Sequence, residues 1–578
     1  MTGRSVHSRA VLAVAAVAVA FAAADTYVVV LALPDMMAGV GLSVDQLQKA
    51  APIVSGFLLG YVAVLPLIGR IADLRGRVPV LVGSLVVFAL GSLVTAAAYD
   101  LPSMVAGRFL QGVGGGGLVP ATLALVADLY PPARRGVPLG VVGAVQELGS
   151  VLGPLYGAVV LAVADWHAIF AVNLLVGVLL ALALRRTAGA ERTRPDLVGL
   201  ALAALTLVAL VLTMVRPRPL TTQLTLGLAF VPVTGESRWL APVGLAFLVL
   251  AALLVARCLT ARHPLVDVRA WRGLARSADL PGATLMALAL AGVILAFATA
   301  DPQVSVFSPA GPWLLLAAAV FAVGFGWRNR SAAAPLVPRG AFTAMPAWGA
   351  LLVSFFVGAA LIAALVDIPI FARVTVSPDS QLGAALVLVR LLVALPVGAL
   401  AGGFLTRRLP SGLVTALGML LAAGGFAWMA QWGLDSLRHP VATVPLVAAG
   451  LGFGLALAPV NAALLAATDD AVHGVTSALL VVARMVGMLV GVSALTTIGL
   501  RRYYAVQVGL PAPSEVCHRS TQCAAYTRLL KEAGLAQLQT VFWGAAVCAL
   551  VAAVAAVVLF RGARTRDLST AAVLGSAG

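Results

Sequence analysis

The chain has 578 residues, 61% of them hydrophobic and only 10% charged, where an ordinary soluble domain carries about 25% charged residues. Mean hydropathy is +1.04, and apolar runs of roughly 20 residues, long enough to cross a hydrocarbon core about 30 Å thick, recur from end to end; this excludes a soluble protein, and the lack of short alternating strands excludes a barrel. The net charge of +16 does not indicate nucleic acid, because the basic residues sit in short loops at alternate helix ends.

The first apolar run starts near Val11, after Arg4, His7 and Arg9, and carries Asp25. It ends in Leu33-Pro34-Asp35 with no small-residue cleavage site, so it reads as a retained helix and not as a signal peptide. Apolar windows place the first six helices at about 11–33, 51–69, 78–98, 102–127, 136–162 and 166–185. Four follow at about 196–215, 240–259, 280–300 and 311–327, and the last six at about 347–371, 381–406, 411–432, 441–467, 473–500 and 539–560. The expectation is an all-α polytopic membrane protein with sixteen spans. Residues 1–186 form one six-helix bundle, 187–340 a four-helix linker, and 341–578 a second bundle.

An even count puts both termini on one side. Arg70/Arg75/Arg77, Arg134/Arg135, Arg185/Arg186/Arg192/Arg194, Arg257/Arg262/Arg269/Arg272/Arg276, Arg328/Arg330/Arg339, Arg407/Arg408 and Arg561/Arg564/Arg566 share that side. It is expected to be the cytoplasmic face of an inner (plasma) membrane. Loops 99–101, 163–165 and 301–310 on the other side are short and nearly free of Lys and Arg.

The linker reads as a repeat. Asp196-Leu-Val-Gly199 opens a helix pair closed by Pro264-Leu-Val-Asp-Val-Arg269, and Asp279-Leu-Pro-Gly282 opens another closed by Pro335-Leu-Val-Pro-Arg339. Two inserted helical hairpins are expected, although chance similarity of Leu/Ala-rich helices stays open. Segments 216–239 and 501–538 are long enough to act outside the membrane. The second holds Cys517 and Cys523, expected to form a disulfide on the oxidising side, and an amphipathic helical pattern at about 524–537. Cys258 and Cys548 read as small core residues.

Three motifs punctuate the first half. Gly69-Arg-Ile-Ala-Asp73-Leu-Arg-Gly76-Arg77 lies between helices 2 and 3. Helix 4 reads Arg108-Phe-Leu-Gln111-Gly112-Val-Gly114, and helix 5 reads Gly149-Ser-Val-Leu-Gly153-Pro154-Leu-Tyr-Gly157. They resemble, in turn, the gating loop, the intramembrane Arg motif and the exporter helix of the major facilitator superfamily. Leu74 and Val78 depart from the loop pattern. The acid and Leu-Pro of helix 1 (Asp25-Thr-Tyr-Val-Val-Val-Leu-Ala-Leu-Pro34) resemble drug:proton antiporters with two extra helices. The wording is similar to their mycobacterial triacylglyceride and drug exporter subset, as are Asp367-Ile-Pro-Ile-Phe-Ala-Arg373 and Ala385-Leu-Val-Leu-Val-Arg390-Leu-Leu-Val-Ala-Leu-Pro396. The doubled hairpin departs from the usual single one.

The resemblance implies that Asp73 caps a helix N-terminus and Arg77 pairs with acids, latching the halves together. Ionisable groups in hydrocarbon are costly and mark function. Asp25, Glu147, Arg390 and Arg484 fall near the bilayer middle at 1.5 Å of rise per residue. The superfamily architecture faces helix 5 to helix 8 and helix 2 to helix 11. It implies a Glu147–Arg390 pair, and Asp25 as the partner of Arg484 with Arg108 competing. Asp367 is expected to bridge to Arg373. Asp25 and Glu147 are the proton-carrier candidates, with static ion pairs as the alternative.

No Cys/His spacing suggests a metal; His473 reads as a loop residue, and His167 and His263 lie at helix ends. No Gly-rich loop with Lys-Ser/Thr suggests nucleotide. No cofactor and no catalysis are expected. The reading is a proton-coupled exporter of hydrophobic or amphiphilic molecules, with lipid and drug as rival substrates and a non-transporting scaffold or sensor as a remote third. Its expected partners are membrane lipids, protons and a periplasmic lipid-carrier lipoprotein at 501–538.

Overall fold

The computed structural model describes residues 2–42, 47–131, 134–187, 196–261, 264–265, 277–298, 308–377, 380–517 and 523–563. Its long helices follow the expected order. The first six are α1 (Thr2–Gly39), α2 (Leu47–Ala63 and Leu65–Arg75), α3 (Arg77–Ala96), α4 (Leu101–Leu129), α5 (Gly136–Val163) and α6 (Trp166–Thr187). The linker supplies α7 (Leu197–Val215), α8 (Pro242–Thr260), α9 (Leu280–Ala298) and α10 (Gly311–Ser331). Then come α11 (Met345–Thr375), α12 (Gln381–Leu405), α13 (Ser411–Met429), α14 (Thr443–Ala466), α15 (His473–Val508) and α16 (Ala524–Leu559). Among the described residues, 14 spans are long and apolar enough to cross a membrane. With α1 and α5 the set is the expected sixteen. The break in α2 at Val64 sits just before Pro66, which cannot donate to the helix ladder.

The packing repeats itself. Helix α1 packs on α4, α5 and α6, α2 on α4, and α3 on α4 and α6. In the second half α11 packs on α14, α15 and α16, α12 on α14, and α13 on α14 and α16. Each helix number in the first set maps to the second by adding ten. The seams obey the same rule: α5 meets α12 and α14, and α15 meets α2 and α4. Small residues let the backbones approach. A Cβ on Gly140 of α5 would lie 2.7 Å from the Ala399 carbonyl of α12, and one on Gly69 would lie 2.5 Å from the Gly474 carbonyl of α15.

Both close contacts lie toward the end of the molecule that carries the arginine-rich loops, here called the basic end. There the 2–3 loop builds a latch. Gly76 ends α2 at φ +89°, a left-handed turn suited to glycine. Asp73 Oδ1 accepts the Gly474 amide at 2.8 Å and Oδ2 accepts the Val475 amide at 3.0 Å. These are orphan donors at the positive end of the α15 dipole. Arg77 forms ion pairs with Asp73 and Asp128, both at 3.1 Å, and donates to the Ala72 carbonyl at 2.8 Å. Arg135 reaches Asp470 at 3.4 Å and the Ala127 carbonyl at 2.8 Å. His473, expected in a loop, is the first residue of α15 and wholly buried, its Nε2 3.0 Å from the Leu465 carbonyl.

The linker hairpins α7–α8 and α9–α10 share one device. Asp196 accepts the Gly199 amide at 3.0 Å and Arg257 at 2.9 Å. Asp279 accepts the Gly282 amide at 3.3 Å and Arg328 at 3.0 Å. Each acid caps the first helix of its hairpin and ties it to the end of the second. The second hairpin also seats α9 against α2 and α15, on the seam between the halves. The chain around 262–276, including Arg262, Arg269, Arg272, Arg276 and His263, lies largely outside the described residues, as do Arg192, Arg194, Arg564 and Arg566.

The 501–538 segment differs from expectation. Instead of a loop with a short helix, α15 runs on to Val508 and α16 already begins at Ala524. Each has 36 residues, about 54 Å of helix at 1.5 Å per residue, and so outruns a core about 30 Å thick. Cys517 and Cys523 are joined by a disulfide between the two helices. Hydropathy windows end where the apolar face ends, and so miss a helix that continues into water.

Replacing Asp73 with Ala removes two hydrogen bonds to a charged acceptor, each worth about 1.5–3 kcal/mol. The expected result is a shift of roughly tenfold or more toward the state open at the basic end. Maleimide labelling of a Thr406→Cys probe, buried in the α5–α12 seam, reads it out; unchanged labelling would remove the latch role from Asp73. The Arg257 guanidinium, and then the Gly199 amide, hold the Asp196 carboxyl below its ordinary range. A carboxyl held low stabilises the fold above its unfolded value near pH 4 and loses that contribution as pH falls through the depressed folded value. Asp196→Asn is therefore expected to lower Tm at about pH 7, with the gap to wild type narrowing as pH falls below the unfolded value of about 4. A gap that stays constant in dye-monitored unfolding would contradict a charge-based clamp.

Candidate functional site

Between the halves lies a cavity of about 250 Å³. Its walls come from α1, α2, α4 and α5 on one side and α11 and α15 on the other. Most are apolar: Val19, Ala22, Phe57 and Leu58 face Leu361, Ile362, Met485, Met488 and Val492. The polar groups are few: Thr26, Tyr61, Arg108, Gln146, Glu147 and Arg484. A narrower void of about 30 Å³ continues from it, with Arg484, Gln146 and Val119 shared by both. Apolar walls with a few convergent polar groups are the usual make-up of a small-molecule site.

Behind one wall sits a buried charge network. Helix α4 starts from a capping box, Asp100 with Ser103, which sets Arg108 about two turns in. The Arg108 Nη1 donates to Asp25 Oδ2 at 3.0 Å and to Gln111 Oε1 at 2.8 Å. Its guanidinium carbon lies 4.5 Å from the centre of the Phe57 ring, a cation–π contact. Asn173 of α6 donates to Asp25 Oδ1. Gln111 passes its own donor to Ser92 Oγ of α3 at 2.8 Å, and Ser92 donates to the Phe88 carbonyl. Asp25 and Arg108 are each 1% exposed. A charge so buried is tolerable only when paired and hydrogen-bonded, and five helices of one half supply the partners.

Three expected pairings are corrected here. Asp25 pairs with Arg108, the competitor, and not with Arg484. Both belong to the first half, so the shortest connection won over the one across the seam. Glu147 does not pair with Arg390: Arg390 turns into its own half and donates to Thr443 Oγ1 of α14 at 3.1 Å. The cation that acts electrostatically on Glu147 is Arg484, which lines the same cavity. The two form no ion pair, and Arg484 pairs with no acid among the described residues. Asp367 does not bridge to Arg373 either. Asp367 is 2% exposed and has no ion pair among the described residues, while Arg373 points outward from the last turn of α11.

The remaining motif residues act in packing. Cβ atoms on Gly149, Gly153 and Gly157 of α5 would meet Ala20, Ala24 and Val28 of α1. The exporter motif thus seats α5 on the helix that carries Asp25. Pro154 lies within α5, and its side chain lies outside the described residues. Asn173, Ser92, Tyr61 and Asp470 were not singled out from sequence, and Gln111 was quoted in the helix 4 motif without a role of its own. Asn173 carried a usable signal, being a lone amide inside an apolar 22-residue helix. Among the described residues no group of three His, Cys, Asp or Glu could hold a metal.

The family profile described as Major Facilitator Superfamily matches residues 15–492. A triacylglyceride transporter of Mycolicibacterium hassiacum is 37% identical over 84% of this chain and 78% of its own length. A triacylglyceride transporter of Mycobacterium tuberculosis is 35% identical over 87% of this chain and 85% of its own. Among solved structures, the human organic anion transporter MFSD10 superposes with a TM-score of 0.55 at 14% identity, covering 95% of this chain and 99% of that one. The proton:xylose symporter XylE gives 0.52 at 14% identity, covering 95% of each; both likenesses concern the fold alone. With a profile match over most of its length, mycobacterial relatives above 30% identity and two pseudo-symmetric six-helix bundles, this multi-pass membrane protein belongs to the major facilitator superfamily.

Proposed function

We propose that the chain is a proton-coupled secondary exporter that moves lipids of the triacylglyceride kind, and related amphiphiles, by alternating access. The observation that carries this reading is the apolar cavity between the halves, with an acid from one half and a base from the other in its wall. The lipid assignment rests on the names of the mycobacterial relatives. The basic end faces the cytoplasm by the positive-inside rule, with both termini there. The latch then holds the cytoplasmic side closed. The α15–α16 stalk projects into the periplasm, where a lipid-carrier lipoprotein has a surface to meet.

The coupling follows from which half each charge belongs to. Asp25 and Arg108 ride on the same bundle, so rigid rocking of one half against the other leaves their distance unchanged. Glu147 and Arg484 ride on opposite bundles, and rocking changes theirs. A buried carboxylate beside a cation stays ionised, and one moved away from it takes a proton. Glu147 is therefore the group whose protonation is tied to the direction the cavity faces. Asp25 sets the charge of the adjoining wall and exchanges protons with it. Gly69, Asp73, Gly76 and Arg77 gate the cytoplasmic side.

The test is transport in proteoliposomes under an imposed proton gradient, with a fluorescent acyl lipid and a cationic dye in parallel. Lipid movement driven by the gradient is expected. Glu147→Gln should abolish gradient-driven accumulation while downhill exchange persists. Asp25→Asn should abolish both and lower Tm, because stripping one partner from a buried pair costs about 3–5 kcal/mol. Movement of the dye alone would make this a drug:proton antiporter. Accumulation that survives Glu147→Gln would remove Glu147 from the coupling, and no flux of either probe would favour a scaffold.

A further inference from the structure

The cavity wall holds two cations and one acid. The charge of Arg108 is met at once by Asp25, at 3.0 Å. That of Arg484 is met by no ion pair among the described residues; Glu147 acts on it only from a distance. A guanidinium in an apolar, low-dielectric chamber needs a counter-ion. The bidentate fork of arginine fits carboxylate and phosphate oxygens. Beyond the head, Met485, Met488, Leu361 and Ile362 line the chamber, and methionine side chains adapt to varied apolar shapes. At about 250 Å³ the cavity is smaller than the usual small-molecule site of about 300–1,000 Å³. In this conformation the enclosed space takes one polar head and the first part of one chain, and a three-chain lipid needs the wider opening of the alternating-access cycle.

We propose that the central cavity is a binding site for single-chain amphiphiles with an anionic head, a carboxylate or a phosphate, held by Arg484 in competition with Glu147. This rests on the transporter reading and adds a substrate class distinct from neutral triacylglyceride. The two anions exclude each other. Ionised Glu147 satisfies Arg484 and lowers its call on a ligand, whereas protonated Glu147 leaves Arg484 to the ligand head. Proton entry at Glu147 and loading of an anionic amphiphile are thereby linked.

The experiment measures binding to the full-length protein in nanodiscs by fluorescence polarisation. The probes are a dye-labelled long-chain fatty acid, its uncharged methyl ester and a labelled lysophosphatidate. The acid and the lysophosphatidate are expected to bind about 10–100-fold more tightly than the ester, as a charge-assisted contact supplies. Preference for only one of them identifies the head as carboxylate or as phosphate. Arg484→Gln should erase the preference for the acid over the ester, and an unshifted Tm shows that the fold is intact. Arg484→Lys should keep part of it, and Glu147→Gln should tighten the acid. Equal binding of acid and ester to the wild type, or a preference that survives Arg484→Gln, overturns the proposal. Neutral-lipid transport by the same protein reconstituted in proteoliposomes separates the two readings. Transport without anion preference sinks only this site, and anion preference without transport sinks only the exporter assignment.

Discussion

A charge inside a hydrocarbon slab has nowhere to dissolve, and the whole arrangement answers to that constraint. Arg108 is the largest fully buried side chain, and its presence dictates what surrounds it. Asp25, Gln111 and the Phe57 face come to it from three helices, and Asn173 and Ser92 complete the second ring of partners. Because these groups stand on five helices of one half, pairing the charge also fixes how those helices rotate. Buried ion pairs contribute little net stability compared with apolar packing, so their value here is in specifying one arrangement of Ala-, Val- and Leu-rich helices that could otherwise pack in several.

The seams between the halves are built on the opposite principle. They carry glycine, alanine and threonine instead of charge, so backbones touch and separate at little cost. Among the described residues charge crosses the seam at the basic rim, where Asp73 accepts the Gly474 and Val475 amides and Arg135 reaches Asp470. Glu147 and Arg484 are the exception, an acid and a base facing each other across the divide without touching.

Much of this was legible in the chain. Apolar windows found every membrane helix, because a span must be long and apolar whatever its neighbours. The latch was readable because Gly69, Asp73, Gly76 and Arg77 are constrained by backbone and dipole geometry. What sequence could not supply was rotation about each helix axis. Depth in the membrane follows from counting residues, and by depth Glu147 and Arg390 were plausible partners on facing helices. Azimuth follows from packing, and it turns Arg390 to Thr443 and Arg484 to the cavity. Arg108 prevailed over Arg484 at Asp25 for the same reason. The far end of α15 was missed because a helix leaving the membrane loses its hydropathy signal and keeps its backbone; the amphipathic pattern at 524–537 did give helix there, and what it left out is that this helix runs unbroken into the last span.

That last feature has a mechanical consequence. Helix α15 is one rod from His473 to Val508 with no proline along it, and it carries the latch amides at one end, Arg484 in the middle and the stalk at the other. Stiffness makes it a lever with its fulcrum in the bilayer. A push applied to the tip, about 50 Å from the latch, arrives there as torque and not as local bending. Because α16 packs alongside α15, the two rods share the load, and a body that leans on the stalk presses on the Gly474 and Val475 amides at the far end.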